Sequence, residues 1–341
     1  MTSILGIGQL LKGRLSTYAI IKQLHRSIWL AMYELRFIIA NGWISSNQSE
    51  EPVVIKSIRH FRLENERDVL KRFQSRAPSL RPLIDEIEDP PGPPALVLKH
   101  LDDDLLHVSA AKKLTPLEVK YVIREVLEAL AVLHEDGYVH TDVKPDNILV
   151  NHGPGNIRFA DVKLADCGST VHMDSGHAME GDIIGAPIFR SPEAHLQMRW
   201  STATDIWSLG TTASDQINYL LISLLWGGNW HIFKPDVPAD HEHYELKILM
   251  KHHQYFGPFP LSYKEIADKD TLSILAHVMK GVPHELMKPF EYVTDREITK
   301  EDKAFILKLM KLDPRDRPTA KELLQDEWFQ LESARHKNEY F

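Results

Sequence analysis

His140-Thr141-Asp142-Val143-Lys144-Pro145-Asp146-Asn147 is the stretch on which the reading of this chain turns. Its eight residues hold an acid, a base and an amide, with a proline to stiffen them. The run Val126 to Leu133 precedes it as an apolar, helix-like segment, and Ile148-Leu149-Val150 follows it as a strand. A polar loop carried between two buried elements is a common seat of chemistry. Taken alone, it also fits a solvated turn, because Pro-Asp-Asn is ordinary turn chemistry. The rest of the chain decides between the two.

With 341 residues, the chain can form a sizeable core or two lobes. Hydrophobic residues make up 43% and charged residues 26%, an ordinary soluble composition. The net charge of -8 argues against general nucleic-acid binding by the fold as a whole. Cys167 is the one cysteine, so no intramolecular disulfide framework exists and a reducing compartment, cytoplasm or nucleus, is the simplest expectation. No signal-peptide pattern opens the sequence. The most apolar stretch, Ile217 to Trp226, is about half of a membrane span and reads as a buried helix.

Upstream of the loop, residues 1–16 read as a flexible N-terminal segment. Gly6, Gly8 and Gly13 are too sparse to make a phosphate loop. Tyr18 to Leu24 and Ser27 to Ala31, separated by His25 and Arg26, predict a hairpin. The segment 32–51 is long for a connection and reads as an insertion or an extra strand. Pro52-Val53-Val54-Ile55-Lys56 is a buried-strand pattern that ends on a cation. Arg62 to Phe73 has helical periodicity, with Leu63, Glu66, Val69, Leu70 and Phe73 on one face. A strand over Ala95 to Leu98 leads into a connector, Lys99 to Asp104. Thr115-Pro116-Leu117-Glu118 then starts a helix that should end near His134, before Gly137. The boundary between a strand-rich and a helix-rich part falls near Asp103. Downstream lie two short strands, Ile148–Val150 and Val162–Leu164, a long glycine-containing loop to Glu193, and mainly helical sequence. A final amphipathic helix covers Ala320 to Trp328.

Together these motifs resemble a eukaryotic protein kinase over roughly Tyr18 to Phe329, and several motifs in the right order are far more specific than one. The resemblance implies an α+β, bilobal fold: a small β-rich N-lobe over 17–102 and a larger, mainly α-helical C-lobe over 103–330, with a short tail at 331–341. It implies phosphoryl transfer from ATP with Mg2+, a reaction that needs positioning and charge neutralisation more than covalent chemistry. Lys56 stands where the family lysine holds the α- and β-phosphates, and Glu66 where its partner stands, with Glu64 as the fallback. Leu98, Lys99 and Leu101 stand in the ATP-binding connector. Asp142 matches the catalytic aspartate and Lys144 the lysine that contacts the transferred phosphate. Asn147 and Asp166 match the magnesium ligands. His140, Glu193, Asp205 and Arg317 match structural positions, with Glu193 paired to Arg317 and Asp205 anchoring the catalytic loop.

His140-Thr141-Asp142-Val143-Lys144-Pro145 and Phe189-Arg190-Ser191-Pro192-Glu193 look most like the SR-protein kinases of the CMGC group. That resemblance implies a protein substrate carrying serine or threonine, with an Arg-rich one in view. It implies no direct nucleic acid, no membrane, and a monomer.

Departures from the pattern are equally plain. Thr141 replaces the arginine that normally receives an activation-loop phosphate. The turn Gln23-Leu24-His25-Arg26-Ser27 has no glycine, although glycines let backbone amides approach phosphates closely. Ala186 removes a hydroxyl that would link Asp142 and Lys144. Cys167 stands where the family has a packing aromatic, and reads as a buried structural thiol. Ala213 to Leu220 reads as a second inserted segment. His231, His241, His243, His252 and His253 lack a tight ligand spacing and read as a solvated, partly core-facing set rather than a metal site. A catalytically weak pseudokinase that binds nucleotide or acts as a scaffold is the alternative to an active kinase. A small-molecule kinase is disfavoured by the Ser-Pro-Glu and Asp-x-Trp-Ser-x-Gly elements.

Overall fold

The computed structural model describes residues 5–34, 37–38, 44–45, 51–216 and 231–330. It divides into two compact units, Met1–Asp102 with Ala165–Thr170, and Asp103–Leu164 with Val171–Phe341.

The first unit is built on six strands: β1 (Leu10–Gly13), β2 (Thr17–His25), β3 (Ile28–Glu34), β6 (Pro52–Ser57), β7 (Leu83–Asp89) and β8 (Ala95–Lys99). They close in the order β1-β2-β3-β6-β8-β7, every pair antiparallel. Alternation sets the inner face, with Leu11, Tyr18, Ile20, Ala31, Val53, Ile55 and Val97 meeting in one apolar cluster. Of the suspected insertion, residues 32–34 belong to β3, Phe37–Ile38 (β4) pairs with Ile44–Ser45 (β5), and residues 35–36, 39–43 and 46–50 lie outside the described residues. Helix α1 (Phe61–Phe73) starts three residues after β6. His60 caps it, the imidazole accepting from Arg62 N, and its buried residues are Leu63, Glu66, Val69, Leu70 and Phe73, the face that the periodicity predicts.

The N-terminal segment corrects the expectation of a flexible start. Leu5 and Leu11 are buried, and residues 10–13 pair with both β2 and β7. Asp85 supplies the reason. Its buried carboxylate accepts from Arg14 N, Leu15 N, Ser16 N and Tyr18 Oη at 2.9 to 3.3 Å. One carboxylate thus satisfies a whole turn of amides that would otherwise be unpaired. A Cβ on Gly13 would collide with that carboxylate, so glycine here serves close packing rather than phosphate binding.

The second unit begins with the short strand β9 (Asp103–Asp104) and helices α2 (Leu105–Ala111) and α3 (Pro116–Glu135). Thr115 and Glu118 form a reciprocal capping box at the start of α3, with proline in its first turn. Gly137, with φ +76, turns the chain beyond its end. Strand β10 (Tyr138–Val139) leads into the stretch 140–147. Beyond it, β11 (Ile148–His152) pairs with β12 (Phe159–Leu164) and with β9. Strand β13 (Val171–His172) pairs with β10. Helices α4 (Gly176–Met179), α5 (Pro192–His195), α6 (Ala203–Gln216), α7 (Tyr244–Phe256), α8 (Lys269–Gly281), α9 (Lys300–Leu309) and α10 (Ala320–Leu324) complete the unit. Helix α6 runs unbroken to Gln216, and residues 217–220 of the suspected second insertion lie outside the described residues.

The last helix is shorter than its amphipathic pattern predicts. It ends at Leu324, and Glu327–Phe329 forms a separate 3-10 turn. Asp326 starts that turn by accepting from Trp328 N, and also bonds Lys308 Nζ at 2.6 Å. The histidines divide in two: His231, His252 and His253 are buried, whereas His241 and His243 are exposed. Among the described residues they do not gather into a metal-binding group.

Candidate active site

Within the first unit, Lys56 sits on β6 and points at two carboxylates. Its Nζ donates to Glu66 Oε2 at 2.7 Å and to Asp166 Oδ1 at 2.9 Å. Glu66, on the buried face of α1, is thus the partner of Lys56, and Glu64 is not needed. Burial opposes the lysine's charge, but Glu66 and Asp166 outweigh it and raise its pKa. Burial pushes the Glu66 carboxyl up, against the pull of Lys56. Asp166 adopts a left-handed backbone, φ +61, which costs a non-glycine residue about 1 kcal/mol or more and is typical of functional positions. Asn65 neighbours Glu66 and holds the segment that carries Asp166. Its Nδ2 donates to Gly168 O at 3.2 Å and to Thr170 O at 2.8 Å. Sequence reasoning missed that function of Asn65; its only signal was an amide next to the paired glutamate. Cys167 is fully buried, and burial raises its thiol far above the usual range, so it is unreactive.

Leu98 and Lys99 lie at the end of β8, and Leu101 follows. Leu98 and Leu101 are buried, and Lys99 donates its N–H to Pro82 O. The β2–β3 turn is a two-residue hairpin, with His25 opposite Ile28. Neither Arg26 nor Ser27 has a positive φ, so the turn is not of the primed type that suits strand twist. The ladder compensates by shifting register between Gln23 and His25. A turn this short presents no extended row of amides to a phosphate.

Within the second unit, the loop 140–147 is fastened from beneath by Asp205, fully buried near the start of α6. Its carboxylate accepts from His140 N at 2.8 Å and Thr141 N at 2.9 Å, and His134 Nε2 lies 2.9 Å away. His134 was not singled out from sequence, since on α3 it reads as an ordinary end-of-helix residue. Thr141 takes a positive φ of 71, which turns the chain so that Asp142 follows from a fixed base. Asn147 spends both amide hydrogens on Asp142, at 2.8 Å to its carbonyl and 2.9 Å to Oδ2. Lys144 Nζ lies 3.1 Å from the same Oδ2 and 3.5 Å from Asp146. Burial works against the Lys144 charge, but Asp142 and Asp146 prevail and raise its pKa. Asp142 Oδ1 makes no hydrogen bond among the described residues.

Glu193 and Arg317 form a bidentate, fully buried pair at 2.7 and 2.8 Å, the strongest geometry available to a carboxylate. Arg317 also lies over the Trp207 ring, 5.1 Å from its centroid. A further constellation had no sequence signal. Glu245 on α7 accepts from Arg190 Nη1 at 2.9 Å, while Arg190 donates to Ile184 O and Gly185 O and so holds the segment before α5.

A description of the protein kinase domain matches residues 45–223, just over half of the chain. The chain belongs to the protein kinase family. It is 31% identical over 250 residues to the CTD kinase subunit alpha of Schizosaccharomyces pombe, which covers 70% of this chain and 36% of that protein. From the same organism, it is 30% identical over 168 residues to the mitogen-activated protein kinase spk1, covering 48% of this chain and 41% of the relative. It is 33% identical over 126 residues to the serine/threonine-protein kinase sid1, covering 36% and 25%. The chain thus spans less than half the length of each of these relatives.

Proposed function

We propose that the protein is an ATP-dependent protein serine/threonine kinase, with Mg2+ as the cation, on the SR-protein kinase-like branch of the CMGC group. The observation that carries the proposal is the state of the Asp142 carboxylate. Lys144 and Asn147 both engage Oδ2, which fixes the carboxylate and leaves Oδ1 to accept the proton of a substrate hydroxyl. Lys144 then stays charged beside the hydroxyl to meet the transferred phosphate. Lys56, oriented by Glu66 and Asp166, supplies a cation for the remaining phosphates. Asn147 Oδ1, in the second unit, and the Asp166 carboxylate, in the first, are each hard oxygen donors of the kind a divalent cation takes. Mg2+ held by such donors would neutralise charge on the phosphates.

The branch assignment rests on the Thr141 loop and on Phe189-Arg190-Ser191-Pro192-Glu193; relatives named a CTD kinase and a mitogen-activated protein kinase support the wider group. It favours an Arg-rich protein substrate, a monomer, and a place in cytoplasm or nucleus. No helix among the described residues is long and apolar enough to cross a membrane. A second reading, a pseudokinase that binds nucleotide without turnover, is favoured by the two-residue turn Arg26–Ser27. Labelled ATP with Arg-Ser-containing and generic substrates separates them. Wild type should exceed Asp142→Asn and Lys56→Ala by about 100-fold or more. Equal incorporation by all three rejects catalysis, and nucleotide-dependent thermal stabilisation without incorporation selects the pseudokinase.

A further inference from the structure

The turn that follows Asp166 sends its carbonyls toward helix α1 of the same unit. Asp166 is left-handed, with φ and ψ both +61, and Cys167–Ser169 then forms one 3-10 turn, closed by Thr170 N on Cys167 O at 3.1 Å. The Cys167, Gly168 and Thr170 carbonyls converge on a single amide, Asn65 Nδ2, at 3.5, 3.2 and 2.8 Å. Acceptors that face one point need a donor there, and a primary amide brings two hydrogens. The helix backbone reaches the turn as well, since a Cβ on Gly168 would stand 3.1 Å from Arg62 O. Asn65 is the neighbour of Glu66, whose carboxylate accepts from Lys56 Nζ at 2.7 Å while the same Nζ reaches Asp166 Oδ1 at 2.9 Å.

Helix α1 therefore acts on Asp166 by two routes. Glu66 fixes its side chain through Lys56, and Asn65 fixes the main chain that follows it. A left-handed backbone at a residue other than glycine persists only where its surroundings hold it. Asn65 supplies that hold through the two carbonyls nearest its amide. Without the amide, Gly168 O and Thr170 O lose this donor, and Asp166 can relax toward right-handed backbone. Its carboxylate would then swing away from Lys56.

We propose that Asn65 is a positioning residue for phosphoryl transfer, setting the backbone of Asp166 so that its carboxylate meets Lys56. The proposal rests on the kinase reading above and adds a residue that acts through Asp166 without touching substrate. The expected effect is large for a residue remote from the reacting atoms, because a misplacement of about 1 Å can cost on the order of 100-fold in rate.

Hydrogen exchange on the full chain, free of metal and nucleotide, gives a readout that needs no turnover. Wild type is compared with Asn65→Ala and Asn65→Ser, each checked by circular dichroism and thermal unfolding. Peptides covering 166–170 should exchange at least about fivefold faster in both variants. Those from α3 and β7 should keep wild-type rates, with Tm within about 4 °C of wild type. With labelled ATP, kcat should fall about tenfold or more, and KM for the protein substrate should stay unchanged. Wild-type exchange over 166–170 in both variants overturns the proposal. So does faster local exchange with wild-type kcat, because Asp166 would then keep its place without the amide. Faster exchange spread over α3 and β7, or failure of both variants to fold, overturns it too, by making Asn65 a residue of general stability. If wild type itself transfers no phosphate, the kinase reading fails, and the catalytic role of Asn65 with it.

Discussion

Ala186 is a residue, besides Asp142 and Lys56, whose change should be felt at the reacting atoms. It follows Gly185, whose φ of +59 and close approach to Thr141 O leave no room for a side chain. Thr141, Asp142, Val143, Gly185 and Ala186 line one recess, so a hydroxyl on residue 186 would share that recess with Asp142. A hydrogen bond of this kind contributes about 0.5–1.5 kcal/mol, a factor of roughly two to ten in rate if made in the transition state. Ala186→Thr should therefore raise kcat by that factor, with KM for nucleotide unchanged. A fall in kcat would mean that the recess is too tight for a threonine. At this scale the grouping of Lys56 with Glu66 and Asp166, and of Lys144 and Asn147 on Asp142, was readable because each residue sits in a motif with a fixed chemical demand. Asp85 and Asn65 were not, because most of their partners are backbone groups distant in sequence, and a bond to the main chain leaves no trace in residue type.

Among the elements, the segment from Val171 to Arg190 bears a prediction about switching. Strand pairing of β13 with β10 fixes its start. Arg199 bonds Asp174 at 2.9 Å, His177 meets Asp182 at 2.5 Å, and Trp200 Nε1 donates to Asp182 O at 2.9 Å. The exposed ion pairs add little singly, but the indole bond from the buried Trp200 and the ladder with β10 anchor the segment to its neighbours in the second unit. Thr141 offers no cation for a phosphate. Phosphatase treatment should then leave turnover within about twofold, because no charge-assisted contact of the kind a phosphate makes is lost. Loss of activity on dephosphorylation, restored by rephosphorylating this segment, would refute the idea. Elements with strong local signals were legible from the chain alone. The face of α1 follows from a 3.6-residue period, and the limits of α3 from a capping box and Gly137. Strand β1 was not legible, since Leu10–Gly13 offers only two buried positions, and what holds it is a carboxylate at position 85. The last helix was read too long, because an amphipathic pattern continues smoothly across the Asp326 cap that interrupts it.

At the scale of the whole molecule, the helical unit should be acid-sensitive, and the sign follows from its buried histidines. Burial lowers the His231 pKa to about 3, with Lys234 and Lys251 adding to the effect. Burial likewise holds His252 well below its ordinary value, helped by His195, Arg317 and His231, and it lowers His253. Burial lowers His195 too, against the nearby Glu245 carboxylate. These rings pack among Trp207, Phe233 and Phe189, where His252 meets Phe233 at 4.4 Å and Trp207 at 4.8 Å between centroids. In the unfolded chain each imidazole has a pKa near 6.5. Below that value the unfolded state binds protons that the folded state refuses, so stability falls as pH falls. For His231 alone, the loss from pH 7 to pH 5 is about 2 kcal/mol. His252 acts in the same direction over the same window, until the pH approaches the folded pKa values and the rings charge in place. Thermal unfolding of the protein should accordingly show a Tm lower by several degrees at pH 5 than at pH 7. In His252→Phe, which keeps the aromatic packing and removes the titration, that difference should shrink. An unchanged Tm across this range in wild type would show that the rings are hydrated or already charged, contrary to the packed core they occupy here.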